Sequence, residues 1–398
     1  MSVIKKRRQP VYLDNHATTP TDPRVVEAML PYFTEKFGNP HSSNHYYGWE
    51  VEEAVELARA QVAAAIGASP EEVYFTSGAT EANNLALKGI THFYREKKNH
   101  IITSVSEHPC VLDSALDLES EGTRVTYLKV GTDGLINLKD LEDAIDDDTL
   151  LVSIMTVQNE IGTIQPMAEI GALCHERNVF LHTDAAQALG KIPLDVNAMN
   201  IDLMSITAHK AYGPMGCGAL YITNKPKARL KPLFSGGGQE KGIRCGTLPA
   251  PLCVGFGKAC ELVMTELVSE AAMLKVMRDG FLAALTEALP GIHINGGMSA
   301  RVPGNLNISV DGIDSESLIA ALPDLAFSTG SACSSASEDS SYVLSAIGLS
   351  QNLAESSLRF GLGRFTLEDD LKYAAVRLIE EITKISESRQ LLSVNAAE

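Results

Sequence analysis

Short apolar runs alternate with helical patterns between residues 70 and 222 of the chain. Each run holds Val, Ile and Leu at consecutive positions, which is typical of strands buried on both faces of a parallel sheet. The runs predict seven strands, at residues 72–76, 100–105, 124–130, 150–157, 179–183, 203–207 and 218–222. Helices between them would cover both faces, so we expect a mostly parallel sheet of the α/β class.

The stretches outside this block predict the rest of the architecture. Apolar residues recur with helical spacing over 51–66, and Gly67 follows as a helix-ending residue. A second helix is predicted over most of 253–289, long enough to connect two domains. Beyond it, a strand-like segment at 305–310 and further helical patterns predict a smaller α+β domain. The polar residues 386–398 are expected to fray.

Composition excludes several classes of protein. A 398-residue chain that is 45% hydrophobic and 21% charged is globular rather than disordered. The formal charge of −17 argues against a direct nucleic-acid partner, and no apolar run is long enough for a membrane helix. The basic residues 5–8 precede no apolar stretch, so no secretory signal is predicted. The seven cysteines form no CxxC pair, which favours a reduced, cytoplasmic enzyme with free thiols and no metal site.

One candidate binding element is the small-residue turn at 76–81, which follows a predicted strand and opens a helix. Backbone N–H groups at a helix start have no partner within the helix, and the helix dipole is positive there, so the turn can bind an anion such as phosphate. Thr80 adds a hydroxyl donor. Taken alone, a Ser or Thr at a helix start is more often just an ordinary helix cap.

Asp184 and Lys210 close two further predicted strands. A carboxylate at the end of a buried strand is costly unless a cation faces it, and the protonated ring nitrogen of a cofactor would do so; the alternative is a cap on the next helix. Loss of water lowers the pKa of a lysine so that its amine can form an imine, although most lysines are solvated surface charges. Together with a phosphate-binding turn, these residues describe a pyridoxal phosphate site at the carboxyl ends of the strands.

At this point the chain resembles the cysteine desulfurases of the IscS/NifS type, which belong to the fold-type I pyridoxal phosphate enzymes. The resemblance runs from about residue 11 to about residue 385. It rests on motifs that occur in the same order, namely Tyr12-Leu13-Asp14-Asn15, Ala17-Thr18-Thr19, Phe37-Gly38-Asn39-Pro40, Thr76-Ser77-Gly78-Ala79-Thr80-Glu81, Glu107-His108, Asn159-Glu160-Ile161-Gly162, Asp184-Ala185-Ala186-Gln187, His209-Lys210, Gly330-Ser331-Ala332-Cys333 and residues 361–366.

This resemblance implies the PLP-dependent transferase fold, fold type I. The large, cofactor-binding domain would cover residues 17–262 and contain the mainly parallel seven-stranded sheet. The smaller α+β domain would combine residues 1–16 with 263–398 and carry the loop of the catalytic cysteine. A homodimer is also implied, because Thr247 matches a residue that binds the cofactor phosphate of the other subunit.

The matching residues of the cofactor site each acquire an implied role. Lys210 would hold the cofactor's aldehyde, Asp184 would face the pyridinium nitrogen, and Gln187 would donate to the phenolic oxygen. His108 would stack on the ring and move protons. The remaining matches imply phosphate contacts, from the backbone of Ala79 and from Thr80, Thr207 and His209.

For the reaction, the resemblance implies L-cysteine as the substrate, with its carboxylate held by Asn159 and Arg359. Lys210 would remove the Cα proton, and the thiolate of Cys333 would attack the substrate sulfur, which leaves a persulfide on Cys333 and releases L-alanine. The sulfur would then pass to an acceptor protein of iron–sulfur cluster assembly or tRNA thiolation. The small polar residues around Cys333 favour a mobile loop; a packed, structural thiol is the alternative.

Two other functions stay open at this stage. A selenocysteine lyase or another fold-type I enzyme would share Lys210 and Asp184 and would not depend on Cys333 in the same way. A non-enzymatic subunit would keep the fold without the reaction, but here every implied ligand position is filled.

Overall fold

The computed structural model describes residues 10–224, 227–329 and 341–395. The strands are β1 (Val11–Tyr12), β2 (Val73–Thr76), β3 (His100–Ser104), β4 (Arg124–Leu128), β5 (Thr149–Ser153), β6 (Phe180–Asp184), β7 (Leu203–Thr207), β8 (Gly218–Ile222), β9 (Ile292–Ile294), β10 (Asn305–Val310), β11 (Leu325–Ala326), β12 (Ser328–Thr329) and β13 (Ser357–Gly361). The α-helices are α1 (Pro23–Met29), α2 (Pro31–Thr34), α3 (Tyr46–Ala65), α4 (Ala79–Tyr94), α5 (Pro109–Ser120), α6 (Leu138–Ala144), α7 (Met167–Glu176), α8 (Ala250–Ala288), α9 (Ser315–Ala321), α10 (Tyr342–Ala346), α11 (Gln351–Glu355) and α12 (Glu368–Asn395).

All seven predicted strands of the large sheet are confirmed, in the spatial order β2-β8-β7-β6-β5-β3-β4. The pairs from β7 through to β4 are parallel, and β8 runs antiparallel to both of its neighbours. The mostly parallel sheet is therefore confirmed as well. Because β2 and β7 are each antiparallel to β8, both run in the same direction as the parallel strands.

Consecutive residues of these strands pack on opposite faces of the sheet, as the pleat requires. Ile102 and Val152 join the core beneath α3, α7 and the first part of α8. Their neighbours Ile101 and Leu151 join a second core, formed with α4 and α5. Burial on both faces explains why the sequence of these strands shows continuous apolar runs instead of alternation.

A separate core surrounds the four-stranded antiparallel sheet β12-β13-β10-β9 and the parallel pair of β1 with β11. The long helix α8 takes part in two cores, since Phe256 packs under the large sheet and Phe281 packs against the small one. This helix passes without interruption through the division expected between residues 262 and 263. That division stays a prediction.

Two helix limits differ from the sequence-based expectations. The helix α3 begins at Tyr46, five residues before the predicted start, because the side chain of His45 accepts a hydrogen bond from the Gly48 N–H and caps the helix. The helix α12 continues to Asn395, so the expectation of fraying from residue 386 was wrong for most of this segment. None of the described helices is long and apolar enough to cross a membrane.

One edge of the large sheet collects the residues that carry candidate chemistry. The strands β2, β6 and β7 all end there, at Thr76, Asp184 and Thr207. The adjacent strand β8 begins at the same edge with Gly218, where a Cβ atom would lie only 2.7 Å from the Cα of Gly78. Glycine therefore lets β8 approach the turn that follows β2.

Candidate active site

A crevice of about 500 Å³ opens at this edge of the sheet. Seven of the residues predicted for the cofactor site line it together, namely Ala79, Thr80, His108, Asp184, Thr207, His209 and Lys210. They come from segments that are far apart in the chain and meet because the strands end at one edge. The structure therefore brings these seven predicted residues together at one crevice.

The small-residue turn at 76–81, here called the phosphate-type turn, lies on one side of the crevice, between β2 and α4. Ala79 and Thr80 begin a 16-residue helix, so their backbone N–H groups are among those without a partner inside the helix. The carboxylate of Glu81 accepts a hydrogen bond from the Ser77 N–H at 2.8 Å and is held by Arg244, whose Nε lies 2.8 Å from Oε1. These contacts fix the turn in a shape that can receive an anion at the positive end of the helix.

On the inner side of the crevice, the carboxylate of Asp184 is buried and 4% exposed. One oxygen accepts a hydrogen bond from Asn83 Nδ2 at 2.7 Å, and the other accepts one from the Ala186 N–H at 2.9 Å. Sequence reasoning missed Asn83, although it lies three residues after Thr80 on the same helix, a spacing that places both on one face. A buried carboxylate with neutral partners calls for a cation opposite it.

His108 caps the start of α5, and this contact fixes the tautomer of its ring. The backbone N–H of Cys110 donates to His108 Nδ1 at 3.2 Å, so Nδ1 must be an acceptor. Burial lowers the pKa of His108, so the neutral ring carries its proton on Nε2. Cys110 also lines the crevice, but burial raises the pKa of its thiol to about 12 and makes it a poor nucleophile.

The two residues predicted to hold a carboxylate do meet. Arg359 is fully buried; its Nη2 donates to Asp14 Oδ1 at 3.0 Å, and its Nη1 donates to the main-chain oxygen of Asn159 at 3.1 Å. The contact with Asn159 therefore involves its carbonyl group and not its side chain. Within the described residues, the buried Nε of Arg359 has no hydrogen-bond partner. An anion at this atom would satisfy it.

Three predicted residues lie elsewhere. Gln187 is buried beside the crevice, where its amide contacts His16 and Lys191. Thr247 is exposed and does not line the crevice of its own chain. Cys333 lies outside the residues that the structure describes.

Two buried carboxyl groups, of Glu160 and Glu107, had no role assigned from the sequence. Glu160 Oε2 accepts a hydrogen bond from Ser341 Oγ at 2.5 Å, and burial raises the pKa of Glu160 to about 7. Glu107, next to His108, accepts a hydrogen bond from the Met155 N–H at 2.8 Å, and burial raises its pKa well above the usual range. Both occur in motifs that carry the family resemblance, but their burial depends on the packing of distant segments and was not predicted.

Comparisons with known proteins agree with this geometry. Residues 11–373 match the family model of class-V aminotransferases. The cysteine desulfurase IscS of Rickettsia africae (strain ESF-5) is 54% identical over 95% of this chain and 92% of its own length. The enzyme of the same name from Rickettsia typhi (strain ATCC VR-144 / Wilmington) is 55% identical over 96% of this chain and 93% of its own length.

Solved structures agree as well. A NifS-like protein matches with a TM-score of 0.88 and 34% identity, covering 94% of this chain and all of its own. SspA in complex with cysteine matches with a TM-score of 0.80 and 38% identity, covering 89% of this chain and 99% of its own.

We predict that replacing Glu160→Gln changes the pH dependence of stability. Because burial raises the pKa of Glu160 to about 7 in the folded state, from an ordinary value of 4.5, ionising the buried carboxyl costs stability as pH rises between these values, and the cost is constant above them. The free energy of unfolding of the variant should therefore increase relative to that of the wild type as pH rises, by up to about 3 kcal/mol. Urea unfolding of both proteins at pH 5, 6, 7 and 8 measures this difference.

The matched control is Glu52→Gln, which replaces an exposed carboxyl on α3. Its stability relative to the wild type should stay constant over the same pH range. If the free energy of unfolding of Glu160→Gln changes with pH in the same way as that of the wild type, ionisation of the buried carboxyl does not reduce stability.

Proposed function

The chain belongs to the class-V aminotransferase family, among the cysteine desulfurases, and on that premise we propose that it moves the sulfur of L-cysteine onto Cys333 and releases L-alanine. The observation that carries the proposal is the convergence of the phosphate-type turn, Asp184, His108 and Lys210 on one crevice. The selenocysteine lyase alternative is not favoured, because the relatives matched over nearly the whole chain are cysteine desulfurases.

The crevice fits pyridoxal 5′-phosphate as the cofactor. Ala79, Thr80, Thr207 and His209 would hold its phosphate, Asp184 its protonated ring nitrogen, and Lys210 its aldehyde. When bound, this cofactor supplies an electron sink for the charge that develops at the substrate Cα. The buried carboxylate of Asp184, whose described partners are neutral N–H groups, is the group that such a ring nitrogen would complete.

Each further step is assigned to a residue of this chain. Arg359 would bind the substrate carboxylate through its buried Nε, which orients the Cα–H bond towards Lys210. The amine of Lys210 would remove that proton. His108, with its ring proton on Nε2, would act as a donor above the cofactor and return a proton to the product.

Described residues on either side of Cys333 in the sequence attach to the candidate site. Ser328, five residues before it, donates to Asp14 Oδ2 at 2.8 Å, and Asp14 is the ion-pair partner of Arg359. Ser341, eight residues after it, donates to Glu160, whose neighbour Asn159 also bonds Arg359. Five residues span at most about 17 Å. The thiol would therefore be within reach of a substrate held at Arg359.

We further propose that the enzyme is a homodimer in which Thr247 binds the cofactor phosphate of the partner. The exposure of Thr247, and its absence from the crevice of its own chain, support this assignment. An exposed aromatic patch, in which ring contacts join Phe37, Tyr46 and Tyr47, supplies a surface for the second copy, and Phe33 and Trp49 are exposed nearby in the sequence. Contiguous apolar surface of this kind marks protein interfaces.

The sulfur acceptor would be a protein of iron–sulfur cluster assembly, with tRNA thiolation as a second destination. A persulfide is transferred by attack of an acceptor thiolate on its outer sulfur, so the acceptor must present a cysteine. No direct contact with nucleic acid and no membrane contact are proposed, and the chain would work in the cytoplasm.

The central test is mass spectrometry of the purified enzyme after exposure to L-cysteine. We expect one added sulfur on the peptide that contains Cys333. The Cys333→Ser variant should lose this sulfur, and its rate of alanine formation should fall by at least about a thousandfold, since an alcohol cannot replace the thiolate in attack on sulfur. Cys174→Ser, which changes a buried thiol of the large core, is the control. Sulfur on another cysteine would refute the assignment.

A second test concerns the substrate carboxylate. Replacing Arg359→Lys keeps the charge but loses the planar set of N–H donors. The KM for L-cysteine should rise by about ten- to a hundredfold, the value of one charged hydrogen bond. Arg278→Lys, a buried arginine of α8, controls for loss of packing. An unchanged KM in the Arg359 variant would mean that the carboxylate binds elsewhere.

The third test concerns the dimer. Phe37 is 66% exposed and stacks on Tyr47 with ring centroids 5.6 Å apart. We expect Phe37→Glu to produce monomers in analytical ultracentrifugation and to bind the cofactor more weakly, because each site then lacks Thr247 of the partner. Phe93→Glu changes an exposed aromatic residue outside the patch and should leave the dimer intact. A monomeric wild type would contradict the proposal directly.

A further inference from the structure

The side-chain amide of Gln187 has a fixed orientation. Its Nε2 donates to the main-chain oxygen of His16 at 2.8 Å, and since a carbonyl oxygen can only accept, the nitrogen must face it. Its Oε1 then accepts from Lys191 Nζ and from His16 Nδ1, which lies 3.2 Å away. A flipped amide would place oxygen against oxygen and nitrogen against the lysine.

These contacts determine what Gln187 can still offer. A side-chain amide has two lone pairs on its oxygen and two N–H bonds. Both lone pairs are used, by Lys191 and by the ring of His16, and one N–H is used by the His16 carbonyl. The remaining capacity is a single N–H donor. Because two donors bind the amide oxygen, that last N–H is also a stronger donor than it would be in an isolated amide.

Lys191 and His16 lie in a strongly charged interior. Together with Lys210 and Glu270, they line an internal cavity of about 20 Å³. Burial, with the nearby cations Lys210 and Arg359, lowers the pKa of Lys191 well below its usual range. The same influences lower the pKa of His16, which is therefore a neutral ring with its proton on Nδ1. Its Nε2 is buried and has no hydrogen-bond partner within the described residues.

We infer that Lys191 and His16 are positioning residues that commit Gln187 to donate to the phenolic oxygen of the bound cofactor. The inference rests on the proposed cofactor site and on the role that the family resemblance implies for Gln187, which lies beside the crevice, as the donor to that oxygen. The phenolic oxygen would share a proton with the nitrogen that joins the cofactor to Lys210. A hydrogen-bond donor at this oxygen stabilises the anionic form of the oxygen, and the shared proton is then lost more easily. Lys191 and His16 thereby lower the pH at which that proton is lost.

The consequence can be measured without following turnover. The visible absorbance of the bound cofactor reports this proton, so its pH titration gives the midpoint directly. Lys191→Met removes one of the two donors and nearly keeps the side-chain volume. We expect its midpoint to rise by about 0.5 to 1 pH unit, the effect of one weakened hydrogen bond. The exposed Lys384→Met is the matched control and should titrate like the wild type.

Two further variants test separately whether Lys191 acts through Gln187 and whether Gln187 faces the phenolic oxygen. Gln187→Leu should raise the midpoint at least as far as Lys191→Met, and the double variant should show little more than Gln187→Leu alone, because Lys191 acts through Gln187. If Gln187→Leu raises the midpoint and Lys191→Met does not, the inference is overturned while the cofactor site stands. If neither moves it, Gln187 does not face the phenolic oxygen and that part of the proposed site fails.

The experiment also distinguishes a positioning role from a merely structural one. His16→Asn keeps a hydrogen-bonding group of smaller size and should raise the midpoint less than Lys191→Met. Thermal melts of each holoenzyme report loss of fold separately. A variant that melts early but keeps the wild-type midpoint would assign its residue to stability alone and would overturn the inference for that residue.

Discussion

The buried guanidinium of Arg359 joins three segments that are far apart in the sequence. A charge removed from water is stable only when its partners are well placed, and breaking such a pair costs several kcal/mol. Arg359 on β13 is held by Asp14, just after β1, and by the carbonyl of Asn159. The first strand, the loop after β5 and the small sheet are therefore joined at one cation. The flanks of the segment 330–340 attach to the same group of residues.

The need of a buried charge for well-placed partners also explains how three buried carboxyl groups differ. Glu160 and Glu107 are buried without a bonded cation, and burial raises the pKa of both. Asp184 instead keeps two N–H donors at the edge of the crevice, where a cationic group can reach it. Buried carboxyls of similar chemistry thus differ in role because they differ in what faces them.

The sequence was sufficient for the parts that local patterns determine. The seven strands follow from runs of apolar residues, and the turn at 76–81, Asp184 and Lys210 follow from short motifs at strand ends, whereas His108, Thr207 and His209 were implied by the family resemblance. The contacts that could not be predicted join distant segments. Asn83 bonds Asp184 across 101 positions, and Gln187 bonds His16 across 171. No periodicity reports such pairs, because only the folded sheet brings them together. The length of α12 was missed for a related reason, since polar composition does not exclude a helix that packs along one side.

Charge shows how the site differs from the molecule around it. The chain as a whole has a formal charge of −17, yet three basic side chains, Lys191, Lys210 and Arg359, all lie within interaction distance of His16 in the interior. Around the crevice, His108 carries its proton on Nε2, Gln187 has only a donor left, and the helix α4 presents N–H groups. Asp184 differs from these groups because its carboxylate accepts hydrogen bonds, whereas they donate them. A ligand that carries anionic groups and one protonated nitrogen would complement this arrangement. The described hydrogen-bond partners of Asp184 are neutral N–H groups, so a protonated ring nitrogen would add a cationic partner for this buried carboxylate.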